Sequence, residues 1–164
     1  MNAPAFHLMA ELVTEGTNSI KDSNMSRDAG ITIHYVRGTR LYDLIDTLLA
    51  NNWSFNDHGS ITFMDNDDFD FLSADLRAFD NVKKILEERL KMRRIVGIAL
   101  VIEAENTGGI FLFDPGSDRL SSSICINRST LADSLLIDYS YYLENLRCVI
   151  DYPNVATNVQ CSDG

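Results

Sequence analysis

Catalytic signatures are what this sequence lacks. Its 164 residues contain no G-x-S-x-G and no H-E-x-x-H, so neither a nucleophile elbow nor a zincin helix can be read from it. The Gly108-Gly109 pair lies between two apolar runs and opens no helix, so it lacks the setting of a phosphate-cradling loop. His7, His34 and His58 are the only histidines, and they fall on separate elements without ligand spacing. The three cysteines (Cys125, Cys148, Cys161) are an odd number without C-x-x-C spacing, which reads as reduced thiols. No apolar stretch approaches the ~18 residues of a membrane helix. The N-terminus carries acids where a signal peptide has its basic region, so a cytoplasmic protein is expected.

What is present is an ordinary globular composition, 45% hydrophobic and 23% charged, with a net charge of −10. A chain of this length reads as a single domain over 1–164, with 1–30 and 154–164 expected to be loosely ordered. The negative charge argues against a nucleic-acid partner, which demands a basic surface. It favours solubility or a cationic partner, so where the charges lie matters more than their sum.

The most informative stretch is 94–127, RRIVGIALVIEAENTGGIFLFDPGSDRLSSSICIN without its first arginine. Three apolar runs are separated by Asn106-Thr107-Gly108-Gly109, residues that tolerate positive φ, and by Asp114-Pro115-Gly116, where proline fixes φ and glycine is free to turn left-handed. Connections this short join antiparallel neighbours, so the stretch predicts a central meander whose first strand is covered on both faces. Ahead of it, alternation predicts a strand over 31–37. Leu41, Leu44, Ile45, Leu48 and Leu49 then mark a helix capped by Thr39 with a left-handed exit at Asn51-Asn52. Asn56-Asp57-His58-Gly59 predicts a hairpin joining 53–55 to 60–63, pairing Trp53, Phe55, Ile61 and Phe63 across strands. A second helix is expected over 73–92, capped by Ser73, and a third over 129–146, capped by Ser129 or Thr130. The run Cys148 to Ile150 suggests an edge strand.

Between the hairpin and the second helix lie Asp65, Asp67, Asp68 and Asp70, four carboxylates within six residues. They suggest a hard-cation loop, but Phe69, Asp70 and Leu76 stand where an EF-hand needs a ligand, a glycine and a glutamate. No metal and no cofactor is therefore assigned. The plain reading is a solvated acidic loop; the sharper one is a binding patch for a basic partner. Residues 83–94 form the one basic run, read as a solvated helix end or as a contact to an acidic neighbour or dimer mate. Cys125, between two isoleucines, reads as a small buried hydrophobe.

The expected fold class is α+β: an antiparallel sheet of about five or six strands packed with about three helices. In layout, from the leucine-rich helix at 39 through GGIFLFDPGSDRLSSSI to the tyrosine-containing helix ending near 146, the chain resembles the immunity proteins of bacterial contact-dependent growth-inhibition systems. That resemblance implies a non-enzymatic, cytoplasmic inhibitor that binds a cognate toxin domain, often a basic nuclease, without touching nucleic acid or membrane. The surface it points to is Asp65, Asp67, Asp68, Phe69 and Asp70, with Asp57 as a secondary contributor. The alternative is a small metal-dependent hydrolase whose site, drawing on the aspartates and His58, is scattered in sequence.

Overall fold

A computed structural model describes residues 29–152 and 155–163. The fold is α+β, and the described residues form one antiparallel sheet of eight strands with four helices. In chain order the strands are β1 (Ala29–Tyr35), β2 (Trp53–Ser54), β3 (Ser60–Met64), β4 (Leu72–Asp75), β5 (Val96–Ile102), β6 (Thr107–Asp114), β7 (Arg119–Ile126) and β8 (Ala156–Asp163). The helices are α1 (Leu41–Leu49), α2 (Phe79–Lys91), α3 (Tyr139–Asn145) and α4 (Arg147–Ile150). Across the sheet the order is β4-β3-β5-β6-β7-β1-β8, with β2 also on β5. Among the described residues no helix is long and apolar enough to cross a membrane.

The expected meander is β5-β6-β7, at the centre of the sheet. All seven residues of β5 are buried. Val96, Ile98, Leu100 and Ile102 face the main core, where α1, α2, α3 and α4 contribute Leu44, Leu48, Leu86, Tyr142 and Val149. Ala99 and Val101 face a second cluster with Met64, Ile110 and Leu112. Each large side chain fully withdrawn from water contributes about 1.5–3 kcal/mol, so this two-sided burial dominates the fold's stability.

The sheet exceeds the expected five or six strands because two segments expected as helix and tail are strands. Residues 72–75 are β4, paired to β3, where the second helix was expected to begin. Asp75, not Ser73, caps the 3-10 turn Leu76–Ala78 that leads into α2. Residues 156–163, expected to be a loosely ordered tail, form β8 along β1. Residues 29 and 30 likewise belong to β1, while the expectation for 1–28 lies outside the described residues.

Four further expectations fail. The 53–63 hairpin does not form, because β2 and β3 both pair with β5, at Ile102–Val101 and Ile98–Gly97. They are two stretches of one edge, interrupted by a tight Asp57–Ser60 turn with His58 and Gly59 at positive φ. The apolar residues still reach the core: Trp53 meets Phe111 edge-on at 5.1 Å, and its Nε1–H donates to Asn145 O at 3.0 Å. The third helix is short. Asp138 caps it by accepting from Tyr141 N–H, and 130–137 is a loop closed by a Thr130–Ile137 bridge, with Leu135 83% exposed. Cys148 to Ile150 lies in α4 and is no strand. At α1 the left-handed exit is Asn52, as expected, but Thr39 donates its hydroxyl to Val36 O and caps nothing.

Candidate functional site

The acidic loop joins β3 to β4, and its backbone is set by Asn66. The Asn66 carbonyl oxygen accepts from Asp68 N–H at 3.0 Å and from Asp70 N–H at 3.3 Å. Its amide donates to Asp70 O at 3.0 Å. An asparagine side chain thus stands in for the backbone hydrogen bonds a loop would otherwise lack. Phe69 adopts φ 61°, an unfavourable conformation for a large side chain, and is held by packing on the second apolar cluster. Phe71 lies over Gly97, where a Cβ would come within 2.9 Å of its ring. This glycine in an otherwise apolar strand is therefore the seat of the loop's second aromatic.

The four carboxylates do not behave alike. Asp67 is clamped by the basic run: Arg89 Nη2 lies 2.7 Å from its Oδ1, and Arg94 Nη1 lies 3.1 Å from its Oδ2. Arg93, at φ 59°, turns the other way and donates to Pro115 O at 2.6 Å. Asp68 and Asp70 are exposed and Asp65 is half-buried, and none of the three has an ion-pair partner among the described residues. A shallow pocket of about 270 Å³ separates the loop from the β6–β7 turn, lined by Asn66, Asp67, Phe69, Arg93, Arg94 and Asp114 among others. Its walls carry both signs of charge.

Asp57 is not brought to this cluster. It sits at the start of β3 and the loop at its end, ~14 Å apart for four extended residues. Its carboxylate accepts from Thr62 Oγ1 and lies 2.9 Å from His58 Nδ1, bonds that hold its own turn. Asp57, expected with its turn as a secondary contributor to the patch, is separated from the loop by the direction of β3.

The basic run 83–94, expected to be a solvated helix end or a contact to an acidic neighbour or dimer mate, has an acidic neighbour. The structure makes that neighbour the acidic loop itself. The available signal was Arg89 and Arg94 standing beyond the helix's own acids, Glu87 and Glu88. Lys83 is instead used locally, with Asp46 at 2.8 Å and Glu87 at 2.6 Å, and these partners push its pKa upward.

Other chemistry is sparse. Among the described residues no three histidine, cysteine or acidic side chains gather as a metal would require. Burial pushes the Cys125 thiol up, away from the thiolate a nucleophile needs. Cys148 is raised for the same reason, in a second pocket of about 290 Å³ that it shares with Asn51, Asn52, Asn145 and Arg147. In comparisons with protein-family models, curated proteins and solved structures, the chain matches none.

Proposed function

We propose that this chain is an immunity-type inhibitor that binds and neutralises a cognate toxin domain acting in the cytoplasm, with a basic nuclease domain as the partner class. The observation that carries the reading is the fixed acidic loop. Asn66 sets its backbone, Asp67 is tied down by two arginines, and Asp68 and Asp70 are left exposed beside Asp65. A loop backbone fixed before binding loses little conformational freedom on meeting a partner, and the exposed carboxylates it carries steer a basic partner to the surface. Phe69 backs them, half-buried, and adds apolar contact at the patch edge. Asp57 and Asp67 serve the fold, so the binding set narrows to Asp65, Asp68, Phe69 and Asp70.

The test uses the product of the reading frame immediately upstream of the gene. Its C-terminal domain, expressed alone, should arrest growth; expressed with this chain it should be harmless and co-purify with it. Replacing Asp68 and Asp70 with lysine should abolish protection. An upstream product that leaves growth unaffected, or full protection by the double variant, overturns the reading. The alternative of a metal-dependent hydrolase has no grouping of ligands among the described residues in its favour.

A further inference from the structure

The two edges of the sheet are unlike. β4 is four residues long, whereas β8 at the opposite edge runs for eight, from Ala156 to Asp163. Long free edges invite pairing, and proteins blunt them with lysine, proline or bulges. β8 has no lysine and no proline, and its one irregularity lies at its start, opposite His34 and Tyr35. The direction of its hydrogen-bonding groups follows from β1. Tyr35 N–H goes to Asp118 O on the β7 side and Val36 N–H goes to Val155 O on the β8 side. Alternate residues of a strand address alternate neighbours, so Thr32 and His34 face β8 and engage Gln160 and Asn158. The main-chain groups of Val159 and Cys161 therefore point to the outer edge, along which no strand pairs among the described residues.

We infer that β8 pairs antiparallel with β8 of a second copy of this chain, about a two-fold axis through Gln160. That register sets Val159 opposite Cys161 of the second copy, and the converse, so their outward groups meet. Two observations select a second copy as the occupant. First, exposed apolar residues flank both ends of the strand. At its start is Val36, 50% exposed and bonded to Val155. At its end the 130–137 loop, carrying exposed Leu131, Leu135 and Leu136, runs into Tyr139, whose hydroxyl donates to Ser162 O. Antiparallel pairing brings the leucine loop of one copy toward the Val36 end of the other, twice. Main-chain pairing alone buries too little for a stable interface, and these residues supply the difference. Second, copies of a chain with net charge −10 repel, yet β8 carries only Asp163. This edge is a contact that two acidic molecules can share. It is independent of the proposed inhibitor role, since the acidic loop belongs to the opposite edge and stays open.

Sedimentation of the purified chain over a range of concentrations tests the pairing, with a concentration-dependent dimer expected. Cys161→Pro removes an outward N–H that the monomer does not use, and should leave a folded monomer. Leu135→Asp alters a side chain 83% exposed, so its thermal melt should match the parent. Its association should weaken roughly a hundredfold, because the two-fold axis counts each change twice. Gln160→Cys combined with Cys161→Ser should oxidise to a covalent dimer, since residues opposed across such a pair lie within disulfide reach. Monomer at every concentration, a dimer indifferent to both Cys161→Pro and Leu135→Asp, or no covalent dimer overturns the proposal.

Discussion

Tyr35 ends β1 with its ring in the core, 5% exposed, and its hydroxyl donates to Val149 O at 3.2 Å. Burial, aided by nearby Cys148, pushes its pKa far above the ordinary tyrosine value, and burial raises Tyr142 as well. The folded state therefore keeps these phenols neutral at a pH where the unfolded chain ionises its own near ~10. Stability from this source is complete below about pH 9 and is lost as pH rises through and beyond ~10. Urea midpoints should accordingly fall steeply on the alkaline side. Tyr35→Phe should cost about 1 kcal/mol at pH 7 through the lost hydrogen bond, yet decline less with alkalinity. Parallel pH profiles for the two proteins would show that Tyr35 is not a source of the loss. Alternation along 31–37 placed this tyrosine in a strand facing inward. Its acceptor, more than a hundred positions away, follows from no local pattern.

The central meander was legible at the level of elements; its first turn lies within the expected 106–109 tetrad, whereas the second is not turned by Gly116. The first reversal is turned by Asn106 at φ 52°, and the second by Asp118 at φ 49°. Neither Gly108, Gly109 nor Gly116 has a positive φ. Gly108 and Gly109 stand where backbones press together beside a register shift: a Cβ would lie 2.0 Å from Leu100 O or 1.9 Å from Ser123 O. Gly109→Ala should thus cost about 3 kcal/mol or more in a urea titration, because two central strands would have to separate. Gly116→Ala should cost under about 1 kcal/mol, its nearest neighbour being the Asp114 carboxylate at 3.1 Å. Equal costs would refute the close-approach argument. The same limit on local reading explains β8 and the third helix. β8 is polar and held by its ladder with β1, which leaves no apolar alternation to find. Leu131 and Leu135 have helical spacing, but Asp133 at φ 57° and the Ser134 hydroxyl accepting from Leu136 N–H favour turns there.

At the scale of the whole molecule, the sequence located the acidic and basic runs but left open that they meet. Their meeting divides the carboxylates into Asp67, which is ion-paired, and three with no ion pair among the described residues, and the proposed use of the latter can be tested without knowing the partner's identity in advance. Asp67→Ala deprives two arginines of their shared acceptor, one of them only 17% exposed with its Nε–H already buried and unpartnered. Since Asp67 itself is 58% exposed, the cost should be modest, about 1 kcal/mol in the urea midpoint. Reversing Asp68 and Asp70 to lysine breaks no ion pair among the described residues and should leave that midpoint nearly unchanged. It moves the local charge by four units, however, so association with a basic domain should slow about tenfold at low salt and lose most of its salt dependence. If the double variant is the unstable one and Asp67→Ala the variant with altered binding, the clamp and the contact surface have been assigned the wrong way round.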